Sequence, residues 1–395
     1  MQNFNTIFNQ ILNIIPRNKF NSIVEKYQGD KYAKKLTTWG HFAILTYAQL
    51  SEKNSLRDIE TSLTTHHNKL HHSSIKTVKK STLSDANNKR NYKIFEELFY
   101  ALFDKVQALT PKHDFKFKNP LVSIDSTTIK LCLSLYDWAK FRKRKGAVKI
   151  HTVLNHDGNI PEFLTITDGK KADITAAKES FKFMSDSIVV MDRGYIDFKW
   201  MYSLNKDNVF FVTRAKSNMF YETTGQLEFS EGTGVTSDEK ILLRDDKSFE
   251  AYPEELRIVK YYDVETKKDY VFLTNNFKLS AKTIADIYKS RWQIELFFKW
   301  IKQNLKIKSF LGTSENAVMT QIWVAMITYL LIAYIKYQSN KNKSMIELLR
   351  TIREVLFKRA NLIDILSLNS SIVGKVRDFY EDTGQLKLEL SPTGQ

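Results

Sequence analysis

Tyr288, Arg291, Glu295 and Lys302 stand at offsets of 0, 3, 7 and 14 within Ser280–Leu305, SAKTIADIYKSRWQIELFFKWIKQNL. At about 100° per residue, these offsets fall within roughly 60° of one another on a helix. Such spacing normally carries an apolar seam, yet here Ile294, Leu296, Phe297, Trp300 and Ile301 flank a polar stripe. A helix embedded among apolar side chains that holds a phenol, a guanidinium, a carboxylate and an ammonium in one row must have something polar to face. The plain alternative is an ion-paired stripe, Arg291 with Glu295 at i,i+4, contributing about 0.2–0.5 kcal/mol. Two further carboxylates invite the same question. Asp125 sits in the middle of LVSIDSTTIKL, which reads as a buried strand, and an ionised carboxylate there is costly unless paired or bound to a cation. Asp192 follows the strand SIVVM and precedes Arg193-Gly194-Tyr195, at the carboxyl end of a strand, where ligands collect in α/β sheets. If the two strands are neighbours, the carboxylates share a site, and like charges so close favour a divalent cation.

The elements that would position these groups follow from the pattern around them. Leu121–Leu131 is the first strand. Gly146–Leu154, the turn His156-Asp157-Gly158-Asn159 and Pro161–Thr167 make a hairpin. Asp173 is a candidate N-cap for a helix over Ile174–Met184. The strand Ser187–Met191, a helix Ile196–Leu204 and a strand Val209–Thr213 complete a β-β-β-α-β-α-β order, which predicts a mixed sheet with helices on its faces. Short strand-like runs at Lys240–Leu243, Leu256–Tyr262 and Tyr270–Thr274, with glycines at 225, 232 and 234, predict a β-rich insertion over residues 217–276. Ser280 is a candidate N-cap for the polar-striped helix. Beyond it, Ala317–Gln338 and Met345–Leu368 read as two helices joined by SNKNKS, the first apolar nearly all round and so core.

Before the first strand the chain reads as helical at Phe4–Ile15, Trp39–Leu50 and Tyr92–Leu109, with Pro16 and Pro111 as punctuation and KHDFKFKN as a linker. Ser73–Arg90 is rich in short polar and basic side chains. It suits a recognition helix and its lead-in, with Lys79, Lys80, Lys89 and Arg90 on phosphates and Thr82, Ser84 and Asn87 near base edges; a solvated basic linker is the alternative. His66, His67, His71 and His72 have no carboxylate or Cys at ligand spacing and read as a polar loop. The basic run KFRKRK, with Arg142, Lys143 and Arg144, lies beside the Asp125 strand, where an exposed loop would hold a phosphate backbone.

Composition limits the choice of partner. The 395 residues are 43% hydrophobic and 13% aromatic, enough for two or three cores. A single cysteine, Cys132, excludes a disulfide framework and fits a reducing compartment. No signal peptide is evident, and the longest apolar run, Ile322–Ile335, is short for a membrane span. A net charge of +16 with pI near 9.5 predicts a polyanionic partner, most simply nucleic acid. The charge is uneven: residues 1–118 hold 19 Lys+Arg against 10 Asp+Glu, and residues 217–276 hold 7 against 13.

Asp125 in a strand, Asp192 in MDRGY, a β-rich insertion and Glu295 inside Tyr-x2-Arg-x3-Glu-x6-Lys resemble the DDE transposases of bacterial insertion sequences, in the group called insertion-sequence family four. The acidic residues lie 67 and 103 positions apart, the second interval containing the insertion. The resemblance implies an α+β, multidomain chain: a helical DNA-binding domain over 1–118, an RNase H-like α/β catalytic core over 119–216 and 277–316, interrupted by the insertion, and a helical C-terminal region over 317–395. It implies that Asp125, Asp192 and Glu295 hold two Mg²⁺ ions, with Mn²⁺ as a substitute, and that Tyr288, Arg291 and Lys302 grip phosphates. It also implies double-stranded DNA as partner, a homodimer on two DNA ends, and a hairpin intermediate with a base flipped onto an aromatic such as Phe220 or Tyr221. A cytoplasmic, nucleoid-associated mobile-element enzyme is the expectation. The rivals are a catalytically silent DNA-binding regulator and a nuclease of the same fold that cuts without joining.

Overall fold

Leu121–Leu131 forms the strand β1, whose first four residues are buried and whose later ones alternate. It is an interior strand, third from one end, of a sheet of ten strands among the described residues. The computed structural model describes residues 5–70, 73, 75–132, 135–136, 138–142, 145–339 and 343–367. On one side β1 pairs antiparallel with β3 (Lys145–Asn155), which also pairs with the short β2 (Lys140–Arg142) and with β4 (Ile160–Asp168). On the other side it runs parallel to β5 (Ile188–Met191), and β5 parallel to β6 (Phe210–Arg214). The order β4-β3-β1-β5-β6 thus joins an antiparallel half to a parallel half. The β3–β4 turn needs left-handed backbone at Gly158 (φ 73) and Asn159 (φ 52), and a Cβ on Gly158 would come within 2.6 Å of Thr110.

The insertion extends this same sheet. β7 (Tyr221–Gln226), β8 (Val235–Leu243), β9 (Leu256–Asp263) and β10 (Lys268–Thr274) continue it from β6 in the order β10-β9-β8-β7. Sequence pattern missed β7, which is polar and mostly exposed, and the first half of β8. One buried ion pair fastens the extension to the element that follows. Arg257 on β9 donates from Nε and Nη2 to both oxygens of Asp238 on β8, at 2.8 and 2.6 Å, and from Nη1 to the carbonyls of Asn276 and Leu279, at 2.8 and 2.7 Å. Those carbonyls lead directly into the polar-striped segment, capped at Ser280 as expected, with Ser280 Oγ accepting from Thr283 N at 3.2 Å.

That segment is two helices. α11 (Ala281–Ser290) and α12 (Trp292–Asn304) meet at Arg291, where the amide of Arg291 bonds the Tyr288 carbonyl and that of Ile294 bonds the Arg291 carbonyl, both spanning three residues instead of four. Leu296 and Trp292 are 41% and 57% exposed, so the apolar flank is less complete than the spacing predicts and Trp292 is not a core residue. On the opposite face of the sheet, α8 (Asp173–Ser180) and α9 (Phe198–Lys206) pack with β1 and β5. α8 stops four residues short of the expected Met184 because Phe181 turns extended and packs edge-on to Phe163, with ring centroids 5.7 Å apart.

The N-terminal helices are built onto the C-terminal ones. α1 (Ile7–Leu12), α2 (Arg17–Lys26), α3 (Thr38–Leu50), α4 (Leu56–Thr65), α5 (His67–Leu70), α6 (Lys80–Lys89) and α7 (Lys93–Gln107) share one apolar cluster with α12 and with α13 (Glu315–Gln338), α14 (Met345–Val355) and α15 (Leu362–Ser367). By length and composition alone α13 could cross a membrane, but its apolar stretch is wholly buried inside the protein. Its hydroxyl-bearing side chains reach the hairpin turn: Tyr329 donates to the Asn159 carbonyl at 3.0 Å and Tyr337 to that of Gly158. The expected C-terminal helix is broken between Val355 and Leu362, and Leu368 lies outside the described residues. Arg257→Ala strands the buried Asp238 and should cost about 3–5 kcal/mol, read as a lower denaturant midpoint; a loss under about 1 kcal/mol would show that the pair does not fasten the sheet.

Candidate active site

The parallel register settles how Asp125 and Asp192 lie. Ile124 pairs with Met191 as the last rung of the β1–β5 ladder, so the next residues along, Asp125 and Asp192, start from neighbouring strands at the same level. β5 ends there while β1 continues, so Asp192 leaves the sheet and begins the 3-10 turn Arg193–Tyr195, its Oδ1 accepting from Arg193 N at 2.5 Å. Asp125 Oδ1 accepts from Ser126 N at 2.7 Å. Its Oδ2 faces Arg291 Nη1 at 3.4 Å, and Arg291 Nη2 donates to Glu295 Oε1 at 2.6 Å. One guanidinium therefore joins a strand carboxylate to a helix carboxylate, and the i,i+4 pair considered from sequence is present as part of that bridge.

The electrostatics follow. Burial pushes the Asp125 carboxyl up to about 6; the Ser126 amide and Arg291 oppose this, while Glu295 and Asp192 add to it. Burial works against the Arg291 charge, but the bond to Glu295 and the fields of Tyr288 and Asp125 outweigh it and raise its pKa. Tyr288 is partly buried with its ring 5.0 Å from that of Phe272 and 5.8 Å from Arg291 Cζ. Lys302 is half-buried, and burial lowers its pKa, with Lys308 adding. It lies seven residues past Glu295, about 10.5 Å along the same helix.

The three carboxylates converge without closing into a finished ligand set. Among the described residues no group of three or more His, Cys, Asp or Glu is drawn tightly enough to hold a metal ion. Arg291 sits where the charges meet. The residues nevertheless suit a hard divalent cation: the donors are carboxylate oxygens, and the partly buried Asp125 has Glu295 and Asp192 near enough to act on its charge.

Two features here escaped sequence reasoning. Asp173 does not cap α8; Ala172 holds that position, and Asp173 Oδ1 instead accepts from Ser126 Oγ at 2.7 Å and Lys149 Nζ at 3.0 Å, beside a fully buried His151. Tyr195 is 3% exposed, its hydroxyl has no hydrogen-bond partner among the described residues, and burial and then the charges of Asp125, Asp173 and Asp192 raise its pKa. The MDRGY run contained that signal, but nothing in its spacing said the phenol turns inward.

The basic residues outside the site are scattered. Lys79 pairs with Glu60 at 3.3 Å, and the backbone amide of Lys80 donates to the same carboxylate at 2.9 Å. Lys89 is exposed. Arg90 is not free for phosphate: its guanidinium serves the carbonyls of Gly29 and Leu36. Asn87 is buried with Oδ1 2.7 Å from His41 Nε2, so it cannot read bases. The expected basic loop is partly strand: Arg142 pairs with Lys145 in the β2–β3 hairpin, while Lys143 and Arg144 lie outside the described residues. His66 caps the end of α4 against the Phe357 ring, 4.8 Å away, and His67 opens α5; His71 and His72 lie outside the described residues.

The raised Asp125 pKa has a defined sign. The folded value near 6 lies above the ordinary 3.8, so between them the folded state holds the extra proton and stability falls as pH rises through this window. With chelator present, Asp125→Asn should melt above wild type at pH 8, and the gap should close by about pH 4. Equal melting temperatures at pH 8 would mean the carboxylate is not under this strain.

Residues 116–331 match the family model described as transposase DDE domain, and residues 3–76 match a domain of unknown function. The chain is 35% identical to a putative transposase of Sinorhizobium fredii over 72% of its length and 79% of that protein's. It is 27% identical to a probable insertion-sequence transposase of Geobacillus stearothermophilus, over 68% and 72% of the two chains. The piggyBac transposase synaptic complex with hairpin DNA overlays 94% of this chain and 82% of its own at 12% identity and TM-score 0.44, too loose a likeness to argue from. With a DDE model over more than half its length and relatives that are transposases of insertion sequences, the chain belongs to the DDE transposases of insertion sequences, enzymes that cleave and transfer DNA strands.

Proposed function

We propose that Asp125, Asp192 and Glu295 are the metal-holding carboxylates of an RNase H-like core in the Tyr-Arg-Glu-Lys group of these enzymes, and that Tyr288, Arg291 and Lys302 handle the phosphates beside them. The single observation that carries this reading is the Asp125–Arg291–Glu295 bridge, at 3.4 and 2.6 Å, beside Asp192 on the next strand. The order β4-β3-β1-β5-β6 supports the RNase H-like assignment.

Two Mg²⁺ ions, or Mn²⁺, would supply activation of the attacking oxygen and stabilisation of the leaving oxygen. The chain's own residues supply the rest. The carboxylates offer hard oxygen donors from a strand, Asp125, from the turn that ends the neighbouring strand, Asp192, and from a helix, Glu295. Arg291 compensates Asp125 and Glu295 before loading, and once those oxygens are engaged its fork is free to bind a phosphate bidentately. Lys302 adds a point charge farther along the DNA. Water attacks the phosphodiester at an element end, the P–O3′ bond breaks with the proton passing to the leaving oxygen, and the freed 3′-OH becomes the next nucleophile. A hairpin on the opposite strand would need an unstacked base; Phe220, 68% exposed, and half-buried Tyr221 at the start of β7 are two of several exposed or partly exposed aromatics of the insertion that could receive it. The working unit in this reading is a homodimer on two element ends in the bacterial cytoplasm, with residues 1–118 contributing DNA binding.

The test is cleavage of a supercoiled plasmid carrying the gene's own flanking DNA, with Mg²⁺. Wild type should cut at the element's ends and join the 3′-OH to target, and Glu295→Gln should lose more than about a hundredfold in rate while still binding the ends. Binding without any cutting would make the protein a regulator, and cutting without joining a nuclease. In parallel, saturating Mn²⁺ should stabilise wild type by about 2–3 kcal/mol at a hundredfold over its Kd, seen as a rise in melting temperature that Asp125→Ala abolishes. The same rise in the variant would remove Asp125 from the metal site.

A further inference from the structure

Residues 28–36, between α2 and α3, form a short loop that the fold holds from below. Arg90, just past the end of α6, donates from Nε to the Gly29 carbonyl at 3.3 Å and from Nη2 to the Leu36 carbonyl, so one side chain pins both ends. Asp30 Oδ1 accepts from Thr38 N at 2.5 Å and from Thr38 Oγ1 at 2.8 Å, tying the loop to the start of α3. Gly29 is pressed onto the core: a Cβ there would lie 2.8 Å from Ile94 Cδ1 and from Thr38 Oγ1. Gln28 and Tyr32 have φ of 50° and 64°, a backbone that side-chain-bearing residues avoid unless their surroundings fix it.

What this fixed loop presents is basic and aromatic. Lys31, Lys34 and Lys35 are exposed, and Tyr32 at the tip is 88% exposed with Lys31 Nζ 5.5 Å from its ring centre. Thr82, Asp85 and Lys89 of α6 line the facing wall of a crevice of about 710 Å³. Four lysines against one aspartate border it, and among the described residues none of the four takes part in a salt bridge. Among the described residues Tyr32 has no other large exposed apolar side chain near it in sequence, so what the loop presents outward is lysine charge and one ring. A loop carrying three exposed lysines, facing a helix that adds Lys89 beside Asp85, suits a polyanion laid along the loop.

We propose that loop 28–36 and α6 form a two-pronged grip on duplex DNA, in which Lys31, Lys34, Lys35 and Lys89 engage phosphates and Tyr32 lies against sugar and base edges in the groove between them. This rests on the transposase reading and adds a place where DNA is held away from the cleavage site. Arg90 is the positioning residue of the grip, acting through the loop and not on DNA.

The test uses the full-length protein and a fluorescent duplex from the gene's flanking sequence, with Kd measured across salt concentration. Replacing Lys31, Lys34 and Lys35 together by alanine should weaken binding and reduce the log–log salt slope by about 2–3, near one phosphate each. Tyr32→Gly accepts the left-handed backbone without strain, so its melting temperature should not fall, while its Kd should weaken about tenfold at fixed salt with the slope unchanged. Wild-type Kd and slope in both variants, with wild-type binding intact, would overturn the grip and leave the transposase assignment standing. Failure of wild type to bind any duplex would overturn both.

Discussion

Three carboxylates gathered at the carboxyl ends of two parallel strands cannot all stay charged without compensation, and this constraint organises the catalytic half of the chain. The compensation available among the described residues is Arg291, which touches Glu295 one helical turn away and Asp125 166 residues away in sequence. Its position depends on a change of hydrogen bonding between α11 and α12. A continuous helix would carry the same residues on one stripe but would aim them by helical geometry alone. The local three-residue bonding lets Tyr288 stay against Phe272 while Glu295 turns toward the sheet.

The rest of the architecture serves that junction. β1 must be both an interior strand and longer than β5, so that Asp125 is buried by its neighbours yet opens beyond the last parallel pair. The added strands β7–β10 keep the sheet continuous and, through the buried Arg257 guanidinium, fasten the entry to α11 with two hydrogen bonds while two more hold Asp238 on β8. Such a buried pair is weak as a source of stability but strong as a constraint on geometry. At the far end, α13 is apolar on every side because helices and sheet surround it. It bonds the β3–β4 turn through Tyr329 and Tyr337, which links the helical layer to the strand paired with β1.

A basic charge does different work in different places. Arg90 and Arg257 are consumed by backbone carbonyls and a buried carboxylate, and Arg291 by the site itself. Lysines supply most of the exposed charge, including those on loop 28–36. That division follows from the guanidinium's fork, which can satisfy several acceptors in a fixed geometry where an ammonium acts as a point charge.

Neighbouring residues alone specify several of the elements and carry the resemblance to the family. The bounds of β1, the caps at Ser280 and in the β3–β4 turn, and the all-round apolar α13 depend on residues within a few positions of one another, so periodicity and turn chemistry reveal them. The spaced Tyr288, Arg291, Glu295 and Lys302, with Asp125 and Asp192, were legible as chemistry for the same reason. Which polar groups meet depends instead on contacts between distant segments. That Asp125 and Asp192 end on adjacent rungs, that Asp173 turns to Ser126 and Lys149 instead of capping α8, that Tyr195 points inward and that Arg90 supports a loop all depend on pairing and packing between distant segments. A side chain's type fixes what it can bond, but burial and register fix what lies within its reach.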